Sequence, residues 1–253
     1  MIDSFKRIAI ITGATSGIGE ATARAFLEDG FGVLGNGRNE KKIRELEREF
    51  GNAFRGIVGE AADEQVIDSL FDRAEKHFGR PADIVMANAG RGLGGTVSTV
   101  DMDEFRKVLN INVTGTLYLL KKASEKLVAL QEGSYPDTAA DIVILGSTVG
   151  RHISPFSTAY GATKFAVHAL TEGLRREIGP KGVRVTLVEP GIVITRFQET
   201  AGYTHDLVKD FHMKFGPLIY GYDVADAIHY VVSRPPHVHI GDFVIRATRQ
   251  DYP

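Results

Sequence analysis

The chain has 253 residues, 43% apolar and 25% charged, with a formal net charge of −2 and no cysteine. Thirty Lys plus Arg against 32 Asp plus Glu leave no electrostatic footprint for a polyanion, so nucleic acid and membrane surfaces are excluded as partners. Without cysteine there is no disulfide framework, zinc ribbon or thiol nucleophile; Met1 to Arg7 leads into an apolar run too short for a signal segment, and a cytoplasmic enzyme or binding domain held by a buried core is expected.

Short β-branched runs alternate with longer helical patterns, the signature of βαβ units and a parallel sheet. Ile8 to Ile11 reads as a buried strand, followed by a glycine turn and a helix from about Gly17 to Glu28 with Ile18, Ala21, Ala25 and Phe26 inward. Val33-Leu34 opens a second strand, Asn39 can cap a charged helix running through Phe50, and Phe54 to Val58 is the third strand. Asp63 to Phe78 is a helix with Val66, Leu70, Phe71 and Ala74 on one face, and Asp83 to Ala87 is strand four. A long helix is expected from Asp103 to Leu130, then a strand from Asp141 to Leu145, a helix from Ser157 to Ile178 ended by Gly179-Pro180, and a strand from Val183 to Val188. Pro190 to Tyr222 reads as long, aromatic and irregular, and a loop of that length points to function. Asp223 can cap a last helix that stops before Pro235-Pro236, and Phe243 to Ile245 is the final strand. The expectation is one doubly wound α/β domain over residues 1–253, with about seven parallel strands and helices on both faces.

In such sheets ligands sit beyond the carboxyl ends of the strands. After the first strand stands Thr12-Gly13-Ala14-Thr15-Ser16-Gly17-Ile18-Gly19, whose glycines let the backbone approach a pyrophosphate at a helix N-terminus. At the end of strand two, Gly35-Asn36-Gly37-Arg38-Asn39 carries no acid for an adenosine 2′-hydroxyl, and the Arg38 fork suits a 2′-phosphate, which points to NADP. Tyr160 and Lys164 lie four apart on one helix face, and Ser147 follows the strand Ile142 to Leu145. A cation about 4 Å from a tyrosine contributes on the order of 4 kcal/mol, close to three pK units, so Lys164 is expected to bring Tyr160 into working range as an acid/base. Ser147 would hydrogen-bond the substrate oxygen. No His/Asp/Glu cluster has metal-ligand spacing, and no metal is expected.

These residues resemble the short-chain dehydrogenase/reductase family, and the resemblance covers nearly the whole chain. Thr12 to Gly19 is similar to its T-G-x-x-x-G-x-G turn, Asn88-Ala89-Gly90 to its N-A-G after strand four, and Asn112 to its helix asparagine. Ser147, Tyr160 and Lys164 match its catalytic serine and Y-x-x-x-K, and Pro190-Gly191 with Val193 and Thr195 matches the P-G-x-x-x-T that meets the nicotinamide. The resemblance implies a Rossmann-like fold and an NADP(H)-linked oxidoreductase that interconverts a secondary alcohol or hydroxy acid with its carbonyl. Tyr160 would be the general acid/base, Lys164 would hold the nicotinamide ribose, Ser147 would orient substrate and Asn112 would sustain a water-linked proton relay. It also implies a homo-oligomer, dimer or tetramer, built on the helix faces around Asp103 to Leu130 and Ser157 to Ile178.

Two departures stand out. Ala87 occupies the place of a second asparagine, at the cost of sheet hydrogen bonds, and the adenine-binding Asp is replaced within Glu60-Ala61-Ala62-Asp63 by either Glu60 or Asp63. His152 falls where the family lines its substrate pocket; Arg151, Arg196, Phe197, Tyr203 and His205 flank the cleft and are each expected at the surface, and residues 194–220 are expected to form a lid. The stretches Arg234 to Val238 and Ile245 to Thr248 resemble the branch that includes serine and 3-hydroxy acid dehydrogenases. A 3-oxoacyl-thioester reductase is the alternative, which a large basic mouth would favour. A dinucleotide sensor without chemistry is a further alternative, disfavoured because a sensor needs no proton donor.

Overall fold

The structure, a computed structural model, describes residues 5–195 and 197–252; the cleft candidate Arg196 lies outside the described residues, as do 1–4 and 253. In chain order the elements begin β1 (Ile8–Thr12), α1 (Gly17–Glu28), β2 (Gly32–Gly37), α2 (Glu40–Phe50), β3 (Phe54–Val58), α3 (Glu64–Phe78) and β4 (Ile84–Ala87). They continue with α4 (Met102–Leu109), a π-helical segment Asn110–Gly115, α5 (Thr116–Gln131), β5 (Ala140–Leu145), α6 (Thr158–Ile178) and β6 (Val183–Pro190). Last come β7 (Val193–Ile194), α7 (Phe197–Thr200), α8 (His205–Phe215), β8 (Ile219–Tyr220), α9 (Gly221–Val232) and β9 (Asp242–Ile245).

Seven strands form one parallel sheet in the order β3-β2-β1-β4-β5-β6-β9, while β7 and β8 pair separately. Strands β1, β2, β4, β5 and β6 are buried at every residue because helices cover both faces, which explains the apolar runs of β1 and β4, while β5 and β6 also bury Asp141, Arg184 and Glu189. On one face Ile8, Ile10 and Leu34 pack with Leu70 of α3 and Leu127 of α5; on the other Ile11 and Val33 pack with Phe26 of α1, Leu46 of α2 and Ile228 of α9. This is a doubly wound, Rossmann-like α/β fold. Its strand order reverses between β1 and β4, and the crevice above their carboxyl ends is where such a fold receives a ligand.

Side-chain caps set several boundaries. Asn39 accepts the Lys42 N–H at 3.1 Å at the start of α2, and Asp63 accepts the Gln65 N–H at 2.8 Å at the start of α3. Four expectations need correction. The long helix is not uniform, because the Asn112 side chain bonds Arg91 and Thr163 and one turn opens into the π-helical segment. The stretch Pro190 to Tyr222 contains two short strands and two helices, with Thr204 capping α8 through the Leu207 N–H at 3.2 Å. Asp223 lies in the first turn of α9 and reaches back to the Tyr220 N–H at 2.7 Å instead of standing at the cap. In α1 the buried positions are Gly19, Thr22, Ala23, Phe26 and Leu27; Ile18, Ala21 and Ala25 are half-buried, because α1 is packed both on the sheet and beside α9.

The edge opposite the crevice is tied by a buried charge network. Asp141 of β5 accepts Arg184 of β6 at 2.8 and 2.7 Å and Arg7, just before β1, at 2.7 Å. Arg7 also meets Asp83, just before β4, at 2.9 Å, and the carbonyls of Val232 and Ala139, each at 2.9 Å. Arg184 adds the carbonyls of Arg234, Pro235 and Val238 at 2.8, 3.1 and 3.0 Å, so the chain leaving α9 is held to the sheet. Removing one charge from such a network strands its partners in a desolvated place. Asp141→Asn is expected to lower unfolding stability by about 3–5 kcal/mol in urea titrations; a loss below about 1 kcal/mol, the scale of an exposed pair, would contradict the account.

Candidate active site

The turn after β1 and the loop after β4 are laced together. Thr12 Oγ1 accepts the N–H groups of Asn88 and Ala89, each at 3.1 Å, and donates to the Met86 carbonyl at 3.2 Å. Asn88 Nδ2 donates to the carbonyls of Thr12 at 2.8 Å and Gly13 at 3.3 Å, so bonds of Asn88 and Thr12 join the two strand ends beside Ala87. The close approach depends on Gly19, where a Cβ would lie 2.3 Å from Asn88 Nδ2 and 2.4 Å from the Gly13 carbonyl oxygen. Ser16, at the cap of α1, makes no side-chain capping bond, and the helix start faces a cavity of about 550 Å³ lined by Thr15, Ser16, Gly17, Asn39, Lys42 and Thr195, among others. A glycine cradle leading into a helix N-terminus, with its free N–H groups and partial positive charge, fits a dinucleotide pyrophosphate.

At the strand-two end, Arg38 is exposed and stands 3.6 Å from the equally exposed Glu60 carboxylate. Asp63 caps α3 through Oδ1, while Glu60, paired with Arg38, stands beside the half-buried Ala61 on the loop after β3. Gly37 has no left-handed φ, yet a Cβ there would lie 2.4 Å from Thr15 Cγ2. Thr15 therefore closes the position from which an acid would reach a ribose. Two motifs far apart in sequence meet here, and neither alone signals the contact.

Ser147 follows β5, and Tyr160 and Lys164 stand one turn apart near the start of α6, both buried. Lys164 Nζ donates to the Leu145 carbonyl at 2.7 Å and lies 5.9 Å from the centre of the Tyr160 ring. Asn112 Oδ1 accepts the Arg91 N–H at 2.9 Å, while its Nδ2 donates to the Arg91 carbonyl at 3.0 Å and to Thr163 Oγ1 at 3.1 Å, clamping the loop that follows Gly90 onto α6. Phe197 of α7 stands 5.6 Å, ring centre to ring centre, from Tyr160, and Gly92 leaves room for Phe197 and Ala201. The turn Pro190-Gly191-Ile192 is covered from the chain's far end by Gln250, whose Oε1 accepts the Ile192 N–H at 3.0 Å, a contact sequence reasoning missed. Val193 is buried, and Thr195 Oγ1 accepts the Phe197 N–H at 3.1 Å.

The structure thus brings Ser147, Tyr160 and Lys164 to one crevice with the glycine turn. Tyr203, expected at the surface, is half-buried, whereas Arg151 is exposed as expected while binding the buried Glu189 and, at 2.6 Å, Asp242. Phe197 is half-buried, again inside the expected surface position, whereas His152 and His205 are exposed.

The family model described as short chain dehydrogenase matches residues 7–205. The chain belongs to the short-chain dehydrogenase family. An uncharacterised oxidoreductase of Staphylococcus aureus strain MW2 is 32% identical over 241 residues, covering 95% of this chain and 96% of the relative. Among solved structures, the closed form of a serine dehydrogenase complexed with NADP+ has a TM-score of 0.84 at 26% identity, covering 97% of this chain and 96% of that one. A 3-ketoacyl-(acyl-carrier-protein) reductase from Brucella melitensis complexed with NADH has the same TM-score of 0.84 at 25% identity, covering 97% and 98% of the two chains.

Burial dominates the electrostatics of this short-chain dehydrogenase. It pushes the Tyr160 hydroxyl well above the usual tyrosine range, the neighbouring Tyr203 adds to the rise, and a hydrogen bond with Ser147 opposes it. The expectation that Lys164 lowers Tyr160 is corrected: the ammonium is turned to the end of β5, and desolvation of the phenolate sets the direction, upward. Burial also lowers Lys164 to about 8. Lys164 therefore keeps its charge at neutral pH and loses it above pH 8, and its contribution to folding stability rises between about 8 and the unfolded value of 10.5. A nitrogen-detected titration of its ε-amino group is expected to give a midpoint near 8; a midpoint above 10, that of a solvated lysine, would contradict the burial argument.

Proposed function

We propose that this short-chain dehydrogenase is an NADP(H)-dependent oxidoreductase interconverting a secondary alcohol or hydroxy acid and its carbonyl, with Tyr160 as the general acid/base. The carrying observation is the convergence of buried Tyr160 and Lys164 with Ser147 at the crevice beside the glycine turn. When bound, the nicotinamide supplies a hydride to the carbonyl carbon or accepts one from the alcohol. Ser147 orients the substrate oxygen by hydrogen bonding, and Tyr160 gives that oxygen the proton that completes the alcohol. Lys164 holds a positive charge near the phenolate that remains, and the ribose is within its role by the family resemblance. The raised ionisation of Tyr160 keeps the phenol protonated at neutral pH, which favours the acid role needed for carbonyl reduction. Oxidation of an alcohol needs the phenolate and should grow faster as pH rises.

The remaining cofactor contacts rest on Gly13 to Gly19, Arg38, Asn39, Glu60, Ala61, Asn88 to Gly90, Pro190, Gly191, Val193 and Thr195. The side chain of Asn112 is spent on Arg91 and Thr163, so any proton relay there runs through main-chain groups of the π-helical segment. Residues 194–220 act as the substrate lid, a reading supported by Phe197 lying against Tyr160. The exposed side chains flanking the crevice loops include the apolar Val97, Ile153 and Phe156, and Arg151 is occupied, which favours a small alcohol or hydroxy acid over a phosphopantetheine-borne thioester. Exposed Leu109, Leu117 and Phe165 on α4 to α6 supply apolar surface for a homo-oligomer, dimer or tetramer.

Tyr160→Phe is expected to lower turnover at least about 100-fold with little change in cofactor affinity, read from nicotinamide absorbance over a carbonyl and alcohol panel and from a separate binding titration. Near-wild-type turnover would remove Tyr160 from the mechanism. The preference for NADP(H) rests on Arg38 and on Thr15 closing the place of an acid at Gly37. Arg38→Leu is expected to cut kcat/KM for NADPH about tenfold while leaving NADH nearly unchanged, toward the weak end of charge-assisted contacts because the side chain is exposed. Equal losses with both cofactors would show that Arg38 does not read the phosphate.

A further inference from the structure

Next to Ser147 lies a polar chain that the reaction described above does not use, running from half-buried His168 through buried Glu189 to exposed Arg151 and Asp242. The Ser147 N–H donates to Nε2 of His168 at 3.3 Å. His168 stands one helical turn beyond Lys164 on α6, and its Nδ1 lies 3.7 Å from a carboxylate oxygen of Glu189 on β6. Glu189 is fully buried and is gripped by the Arg151 guanidinium at both oxygens, while Arg151 also meets Asp242 of β9 at 2.6 Å. The ring occupies a made-to-measure slot, because a Cβ at either Gly146 or Gly150 would lie 2.4 Å from His168 Nε2.

We propose that His168 is a positioning residue that fixes the Ser147 main chain, and so aims the serine hydroxyl at Tyr160, as long as its imidazole is neutral with the proton on Nδ1. This rests on the functional reading of Ser147 and Tyr160 given above. A neutral imidazole accepts only at its unprotonated nitrogen, so the Ser147 bond at Nε2 requires the Nδ1–H tautomer, and the Glu189 carboxylate is placed to select it. A second proton would turn Nε2 into a donor facing another donor, and the serine would lose its anchor. The charged groups around the ring are Glu189 from β6, Lys164 from its own helix, Arg151 from the turn after β5 and Asp242 from β9. Burial lowers its ionisation below the usual histidine range, with Glu189 opposing, so the neutral form holds at neutral pH and is lost on the acid side.

Three measurements test this. In wild type, nitrogen NMR of His168 should show a protonated Nδ1 and a bare Nε2 at pH 7; a protonated Nε2 overturns the proposal. His168→Leu fills the slot without an acceptor and should lower kcat for carbonyl reduction about tenfold, leave NADPH affinity within about twofold, and speed hydrogen exchange at the Ser147 amide about tenfold, the scale of one lost hydrogen bond. Unchanged kcat and unchanged exchange in a folded variant overturn it. His168→Gln keeps an acceptor that cannot ionise, so it should recover most of kcat and flatten the acid limb of the pH profile; should the leucine variant fail to fold, a glutamine variant that keeps the wild-type acid limb overturns the proposal. Tyr160→Phe run beside these separates the two ideas: if it stays active the functional reading falls, whereas Ser147 exchange still reports on His168.

Discussion

Burying a phenol and an ammonium one helical turn apart is the constraint around which the carboxyl edge of this sheet is arranged. Each group favours its neutral form once water is removed, which is why Tyr160 moves up and Lys164 moves down. The fold answers the cost locally. The Leu145 carbonyl at the end of β5 takes the ammonium, Ser147 takes the phenol, and Phe197 covers the ring. A protonated acid held in a dry crevice is poised to give its proton to an oxygen gaining negative charge, and the same burial strengthens every dipole aimed at that oxygen.

The two edges of the sheet divide the labour. At the edge away from the crevice, Arg7, Asp83, Asp141 and Arg184 satisfy one another and a ring of main-chain carbonyls, so charge there serves to register strands and dock the end of α9. At the crevice edge the lacing is made by small neutral groups, Thr12 and Asn88, and by glycines that keep side chains out of the ligand's place. Ion pairs flank the crevice at the rim, as Arg38 with Glu60, and beneath the serine, as Arg151 with Glu189.

Much of this was legible in the sequence because it is local. Strands β1 and β4, buried on both faces, read as apolar runs, and Asn39 and Asp63 announce the starts of α2 and α3. The glycine turn, Ser147, Tyr160 and Lys164 are spacings within one or two elements. What escaped depends on tertiary partners. The π-helical segment exists because Asn112 must reach Arg91 and Thr163, and nothing in its own residues marks the extra residue in the turn. The sign of the Tyr160 shift cannot be read from one nearby cation, because depth of burial sets it and no spacing reveals depth. Helix α8 carried a readable signal in the Thr204 cap and the spacing of Leu207, Phe211 and Phe215, but the surrounding Gly and aromatic residues masked it. The Thr15 to Gly37 contact and the docking of Gln250 on the Pro190-Gly191 turn join segments whose proximity only the fold creates.

The claim on which the account turns is that burial keeps Tyr160 a neutral phenol in the free protein. Ultraviolet titration of the wild type, with the Tyr160→Phe curve subtracted, isolates that one hydroxyl without any need for a substrate. The account predicts that the difference signal stays flat through neutral pH and past about 10, where an ordinary tyrosine ionises. A difference transition centred near pH 7 would mean that Lys164 outweighs desolvation after all, and it would contradict the account.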